Sequence, residues 1–81
     1  MILVDVYVPA VDRVFDFMLD DNASAGELAK EIMQRISELI KIPKEVEKQL
    51  CLYAFYRECI LDEKLPLKEQ GITTGEKLIL L

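Results

Sequence analysis

The sequence predicts one α+β domain, residues 1–81, in which a single helix covers one face of a four- or five-stranded mixed sheet. Three observations support this prediction. Residues 2–8 and 13–19 alternate between apolar and polar side chains, which is the pattern of half-buried strands. Residues 25–40 instead repeat apolar side chains at helical spacing. The total of 81 residues is enough for one domain and no more.

The first two strands are predicted to form a hairpin. Asp5 belongs to the solvent side of the first strand, and Asp16 belongs to the solvent side of the second. The side chains then predicted to face the core are Ile2, Val4, Val6, Val8, Phe15, Phe17 and Leu19. The segment Pro9 to Asp12 is the predicted connection, because proline cannot donate a hydrogen bond to a strand ladder.

The helix is predicted from about Ala25 to Ile40. Ser24 is followed three residues later by Glu27, a capping box that would satisfy two N–H groups of the first turn. Its predicted apolar face consists of Ala25, Leu28, Ala29, Ile32, Met33, Ile36, Leu39 and Ile40. On the polar side, Glu31 and Arg35 form a favourable pair at i,i+4 spacing.

Beyond the helix, Pro43 is expected to prevent its continuation. Residues 43–49 allow two interpretations, a loop or one extra helical turn that brings Val46 toward the core. The segments that follow are a third strand from Leu50 to Tyr56, a turn at Arg57-Glu58, a short fourth strand at Cys59–Leu61, a 3₁₀ turn near residues 66–69, and a last strand from Lys77 to Leu81.

Leu65 and Leu67 are predicted to anchor the segment before the last strand to the core. Gly75 is predicted to take the positive φ of a tight turn. One long helix must cover one face of one sheet. The last strand is predicted in the sheet centre, parallel to residues 2–8. This arrangement is the β-grasp fold.

Composition excludes several classes of function. The net charge is −5, and no dense Lys/Arg patch is present, so binding to nucleic acid or to an anionic membrane is not expected. No apolar run approaches the length of a membrane span, and the expected location is the cytoplasm. The two cysteines, Cys51 and Cys59, are too few for an iron–sulfur cluster and are read as ordinary thiols.

The sequence also predicts no enzyme, with no catalytic residue, metal site or cofactor. Histidine is absent, so neither cysteine has the common partner that would make a reactive thiolate. Asp20 and Asp21 form a carboxylate pair just before the helix, where acids are stabilised by the helix dipole. No glycine-rich phosphate loop occurs, since Gly26, Gly71 and Gly75 are isolated.

Residues 65–81, "LPLKEQGITTGEKLILL", resemble the approach to the last strand of ubiquitin-like proteins. The shared positions are Leu67, Gly71, Ile72, Gly75, Leu78 and Leu80. Chain length, a strand at the first residues and the Ile-Thr-x-Gly-x-x-Leu-x-x-Leu ending are similar to the bacterial YukD-like proteins. Those proteins are encoded with type VII (ESX/WXG100) secretion systems. The resemblance implies a cytoplasmic, non-conjugated adaptor, accessory or regulatory to such a system.

Ubiquitin and the sulfur carriers of this fold act through a flexible tail that ends in Gly-Gly. Here Leu81 lies in the predicted last strand, and no glycine follows Gly75. We therefore expect neither adenylation nor thioester formation, unless a longer natural precursor exists. Two alternatives stay open, an interaction module from an unrelated bacterial pathway and a sulfur carrier or conjugating modifier whose C-terminal extension is missing.

Strand alternation predicts an apolar set on the sheet face that points away from the helix. Asp5, Asp16 and Cys51 share this face with the predicted interface residues Leu3, Tyr7, Val14, Met18, Tyr53, Phe55, Ile79 and Leu81. A contiguous apolar set of this kind indicates a protein interface. The predicted partner is a secretion-machinery protein or a second copy of the chain, with Tyr53 and Phe55 as the strongest contributors.

Overall fold

A computed structural model of the chain describes residues 1–41 and 50–81. Its regular elements are β1 (Ile2–Val8), β2 (Arg13–Leu19), α1 (Ala25–Leu39), β3 (Leu52–Ala54), β4 (Cys59–Ile60) and β5 (Lys77–Leu80). The five strands form one sheet in the order β2-β1-β5-β3-β4. β5 is parallel to β1 and antiparallel to β3, which confirms the β-grasp prediction. The two interpretations of residues 43–49 lie outside the described residues.

The β1–β2 hairpin has the predicted sidedness. Its register runs from Ile2 opposite Leu19 to Val8 opposite Arg13. Every second residue of β1 is buried, and so are Phe17 and Leu19 of β2, while Phe15 is half-buried and packs against the edge of the core. The connection is a single 3₁₀ turn, Pro9–Val11, followed by Asp12 in the left-handed region at φ 50°.

The N–H groups in the first turn of α1 find acceptors partly in the helix cap and partly in the distant segment before β5. The Ser24 hydroxyl accepts a hydrogen bond from the Glu27 N–H at 3.3 Å, as predicted. A full capping box would add a second hydrogen bond, from the Ser24 N–H to the Glu27 side chain. Among residues 1–41 and 50–81 this second bond does not form. The Ala25 and Gly26 N–H groups instead donate to the carbonyls of Leu65 and Glu63, both at 3.0 Å. These two bonds join the first turn of the helix to the loop between β4 and β5.

Two predicted core residues are exposed. Leu39 is 71% exposed, although helical periodicity places it on the inner side of α1. It is the last residue of the helix and lies beyond Ile36, the last buried helical residue; Ile40 is not helical but serves as the C-cap with extended backbone. Leu65 is 40% exposed, because its segment is held by its carbonyl rather than its side chain, and only Leu67 is fully buried there.

The third strand is shorter than predicted, but its backbone pairing continues past both ends. Cys51 and Leu81 exchange two hydrogen bonds, of 3.2 and 3.0 Å, and the Phe55 N–H donates to the Lys77 carbonyl at 3.0 Å. Two other boundaries differ slightly from the prediction, since β4 ends at Ile60 and the 3₁₀ turn spans Lys68–Gln70.

On α1, the predicted Glu31–Arg35 ion pair forms at 2.9 Å.

A guanidinium clamp joins the β3–β4 turn to the loop before β5. Arg57 Nε donates to Glu76 Oε1 at 3.1 Å, and Arg57 Nη2 donates to the Gly71 carbonyl. The second oxygen of Glu76 accepts from the Thr73 N–H at 2.8 Å. Burial acts to raise the pKa of Glu76, but the hydrogen bonds from Arg57 and Thr73 outweigh it and hold that pKa below its ordinary value. The clamp therefore fixes how the chain enters β5.

The contact between α1 and the loop generates a stability prediction at Gly26. In an open helix, Gly→Ala would stabilise by up to about 1 kcal/mol. A Cβ at position 26 would lie 2.9 Å from the Glu63 carbonyl oxygen, a backbone atom that also accepts the Gly26 N–H. We expect Gly26→Ala to destabilise the fold by about 1–3 kcal/mol in denaturant unfolding, because this overlap exceeds the propensity gain.

The matched control is Lys30→Ala, an alanine placed on the exposed side of the same helix. It should change the free energy of unfolding by less than about 0.5 kcal/mol. A Gly26→Ala variant as stable as the unmodified chain would show that the Glu63 carbonyl leaves room for a Cβ at position 26.

Candidate protein-interaction surface

The sheet face opposite α1, here called the outer face, carries an apolar row that crosses all five strands. Register places Val14 opposite Tyr7, Tyr7 beside Ile79, Ile79 opposite Tyr53, and Tyr53 opposite Ile60. Cross-strand partners point to the same side of a sheet, so each of these five side chains lies next to the one on the adjacent strand. The apolar row is continuous only because β5 lies between β1 and β3.

The structure places all eight predicted interface residues on the outer face. Those classed as exposed are Leu3, Val14, Met18, Phe55 and Leu81, with exposed fractions between 46% for Leu3 and 55% for Val14. The three in the middle of the sheet, Tyr7, Tyr53 and Ile79, are half-buried by their neighbours. Burial of Leu52 and Ala54, with Tyr53 half-buried and Phe55 exposed, agrees with the predicted register of the third strand. The role of the eight interface residues in binding stays a prediction.

Sequence reasoning missed two residues of this surface, Ile60 and Tyr56, which are 61% and 65% exposed. A strand of two residues is too short to show alternation, so Ile60 could be assigned to a face only through its pairing with Tyr53. The ring of Tyr56 packs edge-on against Phe55, with ring centres 5.6 Å apart. The Lys77 ammonium lies over the Phe55 ring, 5.4 Å from its centre. Phe55 is therefore held in place although it is exposed.

The ring of Tyr7 is fixed at the other end of the face. Its hydroxyl donates a 2.8 Å hydrogen bond to Asp12 Oδ1. This hydrogen bond, with smaller contributions from burial and from the charge of Asp12, raises the pKa of Tyr7 above its ordinary value of 10.0. Tyr7 therefore keeps its proton at neutral pH and presents an uncharged ring to solvent.

One step along the strands from the apolar row, two carboxylates face each other, Asp5 on β1 and Asp16 on β2. Lys77 is the β5 partner of Asp5, but its ammonium lies over Phe55. In residues 1–41 and 50–81, neither carboxylate forms an ion pair within 4.0 Å. The pKa of Asp16 is raised above its ordinary value of 3.8, first by a hydrogen bond with Asp5 and second by the charge of Asp5.

The other candidate groups have structural surroundings. Asp20 Oδ1 accepts the Asn22 N–H at 3.0 Å, and Asp21 Oδ1 lies 3.2 Å from the N-terminal ammonium. Cys51 and Cys59 are free thiols. Within the described ranges, no cluster of three or more His, Cys, Asp or Glu side chains is arranged to hold a metal ion. Over the same ranges, no helix has the length and apolar character needed to span a membrane.

Comparison with known proteins shows the fold. No protein-family profile matches the chain, and no curated protein matches it. A designed protein based on human erythrocytic ubiquitin is 23% identical, with TM-score 0.72 over 100% of this chain and 90% of that one. The ubiquitin-like domain of an Arabidopsis thaliana protein is also 23% identical, with TM-score 0.67 over 99% and 74%.

ATBAG1, whose crystal structure is a complex with HSP70, is 20% identical, with TM-score 0.69 over 100% of this chain and 40% of that one. These likenesses, together with the strand order, define the class. The chain has a ubiquitin-like β-grasp fold.

The acidic pair generates a prediction for pH-dependent stability. Because the folded-state pKa of Asp16 is raised, its proton stabilises the fold fully below pH 3.8, and this contribution is lost as pH rises through the raised value. Asp16→Asn should therefore raise the melting temperature at pH 7, where repulsion from Asp5 is present in the unmodified chain. The gain should shrink toward zero as the pH is lowered to about 3, measured by thermal unfolding at several pH values.

Glu63→Gln is the control, since it removes one negative charge from an exposed side chain beside the helix start. It should give no gain at pH 7. An Asp16→Asn variant that is less stable at pH 7, or whose gain is independent of pH, would contradict the repulsion between the two carboxylates.

Proposed function

We propose that this chain is a protein-interaction module that docks a partner through the outer face of its sheet. The observation that carries the proposal is the apolar row, which joins Val14, Tyr7, Ile79, Tyr53 and Ile60 without a break. A small domain gains stability by turning apolar side chains inward, and this one keeps a contiguous set outside. Contiguous exposed patches of this kind are typical of interfaces.

The composition of the face agrees with such a role. Interface centres are enriched in aromatic side chains and depleted of charged ones, and here the aromatic content fits while Asp5 and Asp16 are the exception. Tyr7, Tyr53 and Phe55 lie on the outer face, and Lys77 covers one ring rather than projecting freely. Tyr7 and Phe55 are already held by neighbouring groups, so binding would cost little side-chain entropy. The complex of ATBAG1 with HSP70 further supports protein binding as a use of chains that contain this fold.

The cellular role that we propose is that of a cytoplasmic accessory or regulatory component of bacterial type VII secretion. The support is the resemblance of residues 72–81 to the ending of YukD-like proteins. Deleting the gene should reduce export of the WXG100 proteins encoded beside it, measured by immunoblotting of culture medium. Complementation with the unmodified chain should restore export. Unchanged export after deletion would leave the interaction module in an unrelated pathway.

The role of the outer face is tested by Phe55→Ala. The secretion-machinery protein that we propose as partner is the FtsK/SpoIIIE-type ATPase encoded with such systems, called here the secretion ATPase. Phe55→Ala should weaken binding to its cytoplasmic domain by about 1–3 kcal/mol, measured by isothermal titration calorimetry, because an exposed aromatic anchor is lost. It should leave the free energy of unfolding within about 1 kcal/mol of the unmodified chain, since Phe55 is 48% exposed and fills no core cavity.

The matched variant is Ile32→Ala, on the opposite side of the sheet. Ile32 is fully buried, so its truncation should cost about 2–5 kcal/mol of stability. Its effect on binding should be small under conditions where the variant remains folded. If Phe55→Ala binds as tightly as the unmodified chain and the ATPase contacts residues outside the outer face, the outer face is not the docking surface.

A further inference from the structure

The β1–β2 half of the outer face presents three cross-strand pairs in an apolar, acidic, apolar order. Leu3 lies opposite Met18, Asp5 opposite Asp16, and Tyr7 opposite Val14. The two outer pairs consist of exposed or half-buried apolar side chains. The acidic pair between them is the feature that an ordinary apolar interface lacks.

A face of this kind selects the charge of what covers it. A purely apolar partner would remove two carboxylates from water without replacing their solvation, which is strongly unfavourable. A partner that places an arginine or lysine between the carboxylates would instead form charge-assisted hydrogen bonds to both. Within the described part of the chain, no lysine or arginine already occupies that position, since Lys77 is turned toward Phe55.

The same charges argue against a second copy of this chain as the occupant. Two outer faces brought together would add a second acidic pair to the first, and each copy carries a net charge of −5. Like charges across a desolvated interface cost several-fold more than in water because the local dielectric constant is low. These charges favour, as the occupant, a different protein with a basic side chain on its contact surface.

The spacing of the three pairs matches one side of an α-helix. Residues on the same side of a strand are about 6.6 Å apart, because the rise is about 3.3 Å per residue. Residues four apart on a helix are separated by about 6 Å along its axis, because the rise is about 1.5 Å per residue. The face of a sheet offers side chains but no free backbone groups, so its partner must satisfy its own backbone hydrogen bonds, as a helix does.

We propose that the partner docks a helix on the β1–β2 half of the outer face, with an arginine or lysine over Asp5 and Asp16. Large apolar side chains one turn before and one turn after that basic residue would contact the Leu3–Met18 and Tyr7–Val14 pairs. This inference rests on the proposed function, because it names the chemistry of the partner at the same surface.

The test uses synthetic helices and the full chain labelled with ¹⁵N. The first peptide is an alanine-based helix that carries leucine, arginine and leucine one turn apart, and the second replaces arginine by the uncharged isostere citrulline. We expect the arginine peptide to shift amide signals within residues 2–8 and 13–19. The citrulline peptide, and the Asp5→Asn/Asp16→Asn chain with the arginine peptide, should each bind on the order of tenfold more weakly.

Control chains separate a local effect from a change in net charge. Glu63→Gln, which removes a carboxylate beside α1, should bind the arginine peptide as the unmodified chain does. Unfolding curves of the double variant are to be recorded beside the binding data, and we expect a folded chain. Binding should also weaken as salt is raised, because screening acts on the ion pair.

Three outcomes would overturn the inference. Equal affinity for the arginine and citrulline peptides would show that the face binds apolar helices without selecting charge, and the proposed function would stand. Shifts confined to the β3–β4 side of the sheet would place the helix elsewhere on the outer face. No shift with either peptide, in a chain whose Phe55→Ala variant still loses the secretion ATPase, would mean that the partner is not a basic helix.

Discussion

The pairing of β5 between β1 and β3 holds the two halves of the sheet together. Leu78 lies beside Val6 of β1 on one side and Ala54 of β3 on the other, and its side chain is fully buried. Without this strand the chain would contain two separate hairpins, each too small to be stable alone. With it, both hairpins share one core beneath α1. The Arg57–Glu76 clamp contributes by fixing the turn from which β5 starts.

The same pairing creates the outer face. Tyr7 and Tyr53 are far apart in sequence and lie in different hairpins, and Ile79 is the residue that places them in one row. The alternation that buries Leu78 and Leu80 necessarily turns Ile79 outward. Insertion of β5 therefore both completes the core and assembles the candidate interface. A change that displaces β5 would remove both, whereas a change confined to an outward side chain need affect only binding.

The acidic pair shows where the fold departs from what stability alone would favour. Like charges placed directly opposite each other on a sheet are destabilising. A lysine is close enough in register to relieve Asp5, but its ammonium lies over an aromatic ring instead. Natural sequences break such local rules mainly at functional sites. The position of the pair, one step from the apolar row, fits that pattern and gives the surface a charge preference that its apolar residues could not supply.

Local periodicity and local chemistry were enough to predict several features of the fold. These are the sidedness of β1, β2 and β5, the helix start at Ser24 and the positive φ of Gly75, which is 94°. Which apolar residues are covered could not be predicted from local pattern, because burial needs a partner from elsewhere in the chain. Leu39 has helical spacing but extends past the buried part of the helix, and Ile60 joins the outer face only through Tyr53. The Arg57 clamp likewise spans residues separated in sequence, so no local pattern could reveal it.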